Sequence, residues 1–430
     1  MQKNMLRPKH TLIILIASCL WGMLFASCDE KKQPERTEAE LKELLANDSV
    51  PEGIIPIEDF LLGDTTRMMD RFYKALSHAK EMNRPVRIAY YGDSFIGGDI
   101  LTQDLRELLQ KEFGGSGCGA AELVPLYSRL SCSQSSKGLT SHNITVKSDF
   151  KNDLQGIDNI YTTSEATASA KLTGVKNNYS SFVGKWTKSY LYFRPIASAT
   201  VTCTMNGTTK EVYSGKSDKL QTACVEGETS SVEWGIKGGG NVFYFASNEG
   251  KNGIVLDNFG LVAVSGNQLN KIPQSTLEEF AAVRPYDLII LQYGLNVASP
   301  KEPDNYKYYV RSFNDVIKRY QKAWPEAAIL VVSVSDRATK ENGVAKSMKC
   351  VQELSQVQRK MAESNKVAFW DMYSVMQKNG GVVGMAERGE AEKDYTHLTH
   401  KGGKALAKPM FDALKNGLEN YERRVRLMTE

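Results

Sequence analysis

The fold of this chain is decided by residues 86–113, which read VRIAYYGDSFIGGDILTQDLRELLQKEF. The stretch begins with a short, mostly apolar run that is typical of a buried strand. It ends with leucines at helical spacing, at positions 101, 105, 108 and 109. Gly92-Asp93-Ser94 forms the turn between strand and helix. A serine there is exposed at the carboxyl end of a strand, beside helix N–H groups that favour a developing negative charge. The alternative is that Ser94 only caps the helix.

Beyond residue 253, strand patterns alternate with helix patterns. Apolar runs predict strands at 253–258, 288–292, 328–334 and 367–370, and periodic runs predict helices at 275–283, 306–322, 346–364 and from 402. Strands that alternate with helices predict a parallel sheet covered by helices on both faces. Functional residues are then expected at the carboxyl ends of the strands.

The stretch from about 124 to 253 has a different composition. It is rich in Ser, Thr, Gly and Asn, and turn signals such as Asn206-Gly207 separate short β-type runs, at 189–194, 199–205, 231–236 and 241–246. This pattern predicts a β-sandwich inserted into the α/β domain. Four of its aromatic residues either stack on sugar rings or fill the sandwich core, namely Trp186, Tyr190, Tyr192 and Trp234.

The N-terminus resembles a bacterial lipoprotein signal. Lys3, Arg7 and Lys9 precede an apolar run at 11–25, and Ala26-Ser27-Cys28 follows it. The alternative is an uncleaved membrane anchor, for which this run is short. We therefore expect export, cleavage before Cys28, and a lipid anchor on its thiol that holds the protein to the bacterial cell envelope, in the periplasm or at the cell surface.

Composition excludes several classes of protein. The chain has 430 residues, 41% of them hydrophobic, so it can build a real core and two domains. Its net charge of +4, without a clustered basic stripe, argues against nucleic-acid binding. No metal-ligand or P-loop spacing is present, so we expect no metal and no cofactor. Export permits disulfides, and spacing alone allows two pairs, Cys118–Cys132 and Cys203–Cys224.

Three more polar positions lie at predicted strand ends or before a helix. Asn296 follows the strand at 288–292, where its amide is able to donate to an oxyanion or simply to form a turn. His397 comes three residues after Asp394, which places a carboxylate where it can orient the imidazole, although a surface loop gives the same pattern. Asp336-Arg337 follows the strand at 328–334, either to contact substrate or to form a helix-capping salt bridge.

Taken together and in this order, Gly92-Asp93-Ser94, Gly294-Leu295-Asn296 and Asp394-Tyr395-Thr396-His397 resemble the SGNH (GDSL-like) hydrolase family. The resemblance implies a three-layer α/β/α flavodoxin-like domain. It implies that Ser94 is the nucleophile, that Asp394 and His397 complete the triad, and that Asn296 is an oxyanion donor. Phe95 stands where the family name implies Leu, at a variable position.

The family's further oxyanion donor is a backbone N–H beyond the second strand. Distance from that strand favours Ala263, and the local Val264-Ser265-Gly266 string favours Gly266. Alanine is acceptable as a backbone donor if its φ stays negative. Both positions stay open at this stage.

Within the family, the chain resembles exported enzymes that remove O-acetyl groups from peptidoglycan or other glycans. Some of these carry a carbohydrate-binding β-sandwich at the same place. The resemblance implies an acetylated glycan substrate and a Ser-His-Asp acyl-enzyme mechanism. The alternatives are a non-catalytic glycan-binding lipoprotein on this scaffold and a lipase or acylhydrolase for small esters. The predicted division is a signal peptide at 1–27, a tether at 28–50, the hydrolase domain at 51–123 and 253–430, and the insert at 124–252.

Overall fold

A five-stranded parallel sheet forms the centre of the protein, which is described from a computed structural model. The model describes residues 43, 47–62, 66–147, 150–175, 181–299 and 306–429. The first strand, β1, is buried along its whole length because it lies between two other strands. The strand order is β11-β1-β12-β13-β16, with β1 Val86–Gly92, β11 Ile254–Gly260, β12 Leu288–Gln292, β13 Ala328–Val332 and β16 Ala368–Trp370.

This strand order fixes where a site can form. Counted along the chain, the parallel strands lie in the flavodoxin-like order 2-1-3-4-5, and the order reverses between β1 and β12. Gly92 is in register with Gly260 on one side and with Gln292 on the other. The loops that follow these three residues therefore leave the same edge of the sheet at the switch point.

Helices pack on both faces of this sheet in two groups. In one group the last helix contacts each of the first two helices, and in the other the third, fourth and fifth helices contact one another in sequence. The helices are α1 Asp70–Ser77, α2 Thr102–Phe113, α3 Gln274–Val283, α4 Lys307–Ala323, α5 Lys349–Asn365, α6 Met372–Lys378, α7 Gly381–Glu387 and α8 His400–Thr429. The predicted three-layer α/β/α fold is thus confirmed. Among the described residues, none of these helices combines the length and hydropathy that crossing a membrane requires.

Nine antiparallel strands form a second sheet between β1 and β11. They are β2 Gly119–Glu122, β3 Cys132–Asn143, β4 Ile160–Gly174, β5 Trp186–Arg194, β6 Ala199–Met205, β7 Thr208–Gly215, β8 Gln221–Thr229, β9 Ser231–Lys237 and β10 Val242–Glu249. The long strand β4 pairs with β10 through its first half and with β9 through its second half. Residues from both arms share one apolar cluster, so the sheet folds over its own core.

The aromatic and cysteine residues of this region pack differently from some expectations. Trp186, Trp234 and Tyr192 are buried in cores, which confirms the core alternative for these three, and Tyr190 is half-buried. All five cysteines in the described residues are free thiols, so neither pair considered from spacing is a disulfide. Cys203 and Cys224 lie on β6 and β8, which do not pair with each other. The buried thiols of Cys118 and Cys132 are neighbours that share a hydrogen bond.

A buried charge cluster joins the two sheets. The Arg284 guanidinium is 2.6 Å from Glu249 at the end of β10 and 2.8 Å from Asp257 on β11, and all three side chains are fully buried. Glu249 also pairs with Arg87 on β1, at 2.8 Å. Burial raises the pKa of Glu249, but the charges of Arg284 and Arg87 outweigh it and lower that pKa to about 2. Glu249 therefore stays ionised, and its ion pairs with Arg284 and Arg87 hold the inserted sheet against the parallel one.

The N-terminal end of the described chain is held by α8. Asp48 pairs with Arg424 and Arg67, and the Asn420 side chain bonds the backbone of Ser49. These residues are the end of the predicted tether. The predicted signal peptide at 1–27 and Cys28 lie outside the described residues.

Candidate active site

Ser94 lies on the turn that follows β1. Gly92 is required there, because an added Cβ would lie 2.9 Å from the Ile96 side chain and 3.1 Å from the Gln292 carbonyl. Asp93 then accepts the Phe95 N–H at 3.0 Å and tightens the turn. The predicted helix begins later than expected, at Thr102, with Leu101 in the capping position. Ser94 is therefore not a helix cap, and its hydroxyl is free for other partners.

A short 3₁₀ segment, Gly97–Asp99, fills the gap between this turn and α2. Asp99 is fully buried with φ of +71° and is bonded by Arg106, Thr102 and Asn258. Burial raises the pKa of Asp99, but the charges of Arg106 and of a second arginine outweigh it and hold that pKa below its ordinary value. The sequence alone did not identify Asp99 as a buried, hydrogen-bonded carboxylate, although the Gly97-Gly98-Asp99 string marks the position.

His397 and Asp394 lie on the loop before α8. The Asp394 carboxylate accepts from His397 Nδ1 at 2.7 Å through one oxygen. Its other oxygen accepts the backbone N–H groups of Thr396 and His397, at 2.9 and 3.1 Å. Partial burial raises the pKa of Asp394, but these bonds from His397 outweigh it and leave that pKa below its ordinary value. The ionised carboxylate fixes the ring, because it can only accept.

The structure brings Ser94 and His397 together across about 300 residues of sequence. Ser94 Oγ lies 3.0 Å from His397 Nε2. Since Nδ1 donates to Asp394, Nε2 of the neutral ring is the acceptor, and the Ser94 hydroxyl donates to it. This is the geometry that a general base needs to take a proton from a serine.

Asn296 lies on the loop that follows β12 and is exposed. Its Nδ2 donates to the Val264 carbonyl at 2.9 Å, which ties this loop to the loop after β11 and leaves a second amide hydrogen for another acceptor. Gly294 makes the turn possible, because its φ is +145° and an added Cβ would lie 2.5 Å from Val334.

The two candidate backbone donors differ in exposure. Gly266 is buried, and an added Cβ there would meet the rings of Phe313 and Tyr293. Ala263 is exposed, three residues beyond Gly260, on a loop whose Val262 packs near Gly97. The φ of Ala263 is +61°. The condition set for an alanine donor, a negative φ, is therefore not met at Ala263, because the loop takes a left-handed turn there.

Asp93 is a second carboxyl near the imidazole. It is 2% exposed, and burial raises its pKa to about 6, while the His397 charge and the backbone N–H groups of Phe95 and Leu295 lower it. Through Leu295 it also holds the loop that carries Asn296. Among the described residues, no group of three or more His, Cys, Asp or Glu side chains is arranged to hold a metal ion.

Residues 234–405 match the family model described as the GDSL-like lipase/acylhydrolase family. The chain carries a GDSL-like hydrolase domain. By that domain it is a hydrolase of ester bonds. The matched residues include Asn296, Asp394 and His397, and Ser94 lies before them. No curated protein matches the chain.

Three solved structures that are similar to the chain complete the comparison. One, described as a peptidoglycan O-acetylesterase, has a TM-score of 0.67 at 22% identity and covers 81% of this chain and 96% of its own. A Bacillus subtilis protein, YXIM_BACsu, has a TM-score of 0.34 at 14% identity, covering 70% and 98%. An acetyl xylan esterase has a TM-score of 0.29 at 19% identity, covering 37% and 81%. The first likeness shows that the fold of most of this chain occurs in another protein.

Proposed function

We propose that this protein removes O-acetyl groups from an extracytoplasmic glycan, with peptidoglycan as the first substrate to test. The observation that carries the proposal is the continuous hydrogen-bonded path from Ser94 Oγ through the His397 ring to Asp394, with distances of 3.0 and 2.7 Å. The fold shared with a peptidoglycan O-acetylesterase supports the choice of substrate.

The proposed reaction has two halves. Ser94 Oγ attacks the acetyl carbonyl carbon while His397 Nε2 takes the hydroxyl proton, and Asp394 stabilises the imidazolium that forms. The Asn296 amide and backbone N–H groups, among them that of Ser94, are proposed to hold the tetrahedral oxyanion. His397 then returns the proton to the sugar oxygen, which leaves as the free hydroxyl. Water attacks the acetyl-enzyme with the same base, and acetate leaves.

The test is acetate release from O-acetylated peptidoglycan by the purified protein and by its Ser94→Ala variant. We expect release by the wild type and none above background by the variant, because the covalent step needs the hydroxyl. Acetylated xylan and a small acetyl ester extend the panel. Wild-type turnover by the variant would reject the mechanism. If the wild type releases acetate from none of these substrates, the proposed esterase activity is rejected and the glycan-binding alternative is favoured.

We also propose that the protein is exported and anchored through a lipid on Cys28. The sequence supports this arrangement, because Lys3, Arg7 and Lys9 precede an apolar run and Ala26-Ser27-Cys28 follows it. The test is Cys28→Ala, which we expect to release the protein from membranes; a variant that stays bound after mild washing contradicts the anchor.

A further inference from the structure

A cavity of about 410 Å³ borders the catalytic loop. One wall is residues 393–396, which include Asp394. The other wall is residues 337–340 and Met348, on and beside a hairpin of two short strands, β14 Ala338–Glu341 and β15 Val344–Ser347. The cavity therefore lies beside the loop whose Asp394 accepts a hydrogen bond from His397.

Backbone hydrogen bonds fix the two walls together. The Ala338 N–H donates to the Tyr395 carbonyl at 3.0 Å, and the Met348 N–H donates to the Arg337 carbonyl at 2.8 Å. Behind the hairpin, the buried Asp336 carboxylate accepts from the Ser347 hydroxyl at 2.7 Å. The cavity is thus a built feature of this edge of the sheet.

Three of the nine residues that line the cavity are cationic. Arg337, Lys340 and Lys393 all contribute to its lining, and in the described part of the chain none of them forms an ion pair. Arg337 donates only to the Leu295 carbonyl, at 3.4 Å, and Lys340 lies 5.9 Å from the centre of the Tyr395 ring. Asp394 is the one carboxylate in the lining, and both of its oxygens already accept hydrogen bonds.

We infer that this cavity binds a carboxylate of the substrate, so that the enzyme acts on acetylated glycans that carry acidic groups near the ester. This inference rests on the proposed esterase function and names its substrate class. Three unneutralised cations in a concave site focus a positive potential, and the planar guanidinium of Arg337 suits a carboxylate. The carboxylate would belong to a peptide substituent or a uronic acid close to the acetylated sugar.

The experiment compares one polymer in two charge states. O-acetylated, peptide-bearing peptidoglycan fragments are used with free carboxyls and with the same carboxyls converted to methylamides. We expect wild-type kcat/KM to be about tenfold higher on the free acid, through KM, if each cation contributes the ~2–5-fold typical of an exposed pair. A second comparison, between an acetylated polyuronate and acetylated xylan, tests whether the carboxylate belongs to the sugar itself.

The double variant K340M/K393M tests whether the two lysines that line the cavity contribute to the preference for the free acid. We expect its preference for the free acid to fall from about tenfold to the ~2–5-fold that Arg337 alone supplies, and we expect the change to appear as a higher KM for the free acid. The matched control is Lys346→Met, on the same hairpin, whose ammonium lies 4.0 Å from Glu341 and does not line the cavity; it should keep the preference. Raising the salt concentration should also reduce the preference of the wild type.

Binding to the Ser94→Ala protein provides a readout that does not depend on turnover. The free-acid fragments should bind about tenfold more tightly than the amides, and adding K340M/K393M should reduce the difference to the ~2–5-fold that Arg337 supplies. Equal affinity or equal kcat/KM for the two forms would overturn the inference, and so would an undiminished preference in the double variant. Failure of the esterase proposal is distinct, since it appears as no acetate release from either form.

Discussion

The substitution Asp93→Asn tests the second carboxyl near the imidazole. Asp93 is 2% exposed, and burial raises its pKa from an ordinary 3.8 to about 6. In the folded protein it therefore keeps its proton between about pH 4 and pH 6, where the unfolded chain has released it. The free energy of unfolding thus falls as the pH rises through this window. A shift of about 2 pKa units corresponds to about 3 kcal/mol, as an order of magnitude.

Asparagine does not titrate, so the variant should lack this loss. The assay is urea unfolding of both proteins at pH 4 and pH 7, followed by tryptophan fluorescence. Between these pH values, the free energy of unfolding of the variant should gain about 3 kcal/mol relative to the wild type. Comparing the two proteins cancels the other buried carboxyls with raised pKa values, such as Asp158. Parallel pH dependences in the two proteins would refute the argument.

The same substitution should lower turnover at neutral pH. The Asp93 carboxyl interacts electrostatically with His397, so its negative charge should stabilise the positive charge that arises when the ring takes the serine proton. A variant that gains stability at pH 7 and loses kcat on a small acetyl ester fits this account. Unchanged kcat would show that Asp93 serves only to hold the turn and the loop of Leu295.

Three further substitutions test other parts of the structure. Asn296→Ala should reduce kcat about 10²–10³-fold with little change in KM, since the backbone donors remain; a loss in KM alone would remove Asn296 from the oxyanion site. Arg284→Met should lower the free energy of unfolding by about 3–5 kcal/mol, because Glu249 and Asp257 lose a buried partner; denaturant unfolding measures it, and a loss below about 1 kcal/mol contradicts it. Ala263→Gly should raise the free energy of unfolding by roughly 0.5–1 kcal/mol, because glycine removes the cost of the left-handed turn; a destabilised variant would contradict the assigned φ.

Local patterns were reliable for the buried strands. The predicted strand 288–292 has the observed bounds of β12, and the predicted strand 199–205 those of β6. Patterns were weaker for long exposed strands. The strands β3 and β4 were not predicted. Many of their residues are polar and face solvent, and a register shift in the pairing of the two strands interrupts the alternation of apolar and polar residues.

The cationic cavity was also missed, although a local signal existed. Asn342-Gly343 is the two-residue turn of the β14–β15 hairpin, with both residues at positive φ, and this dipeptide is a strong hairpin signal. The sequence placed Arg337 at the correct edge of the sheet. Its lack of an acidic partner in the described residues follows only from the way the hairpin folds over the catalytic loop.

The sequence by itself determined the α/β architecture, because apolar periodicity records which faces are buried. It also determined the residue types and strand-end positions of Ser94, Asn296 and His397, because motif and local pattern are properties of neighbouring residues. Only the tertiary structure decided the hydrogen bonds among them, the left-handed turn at Ala263 and the burial that raises the pKa of Asp93. These depend on contacts between segments up to about 300 residues apart, and such contacts leave no periodic trace in the chain.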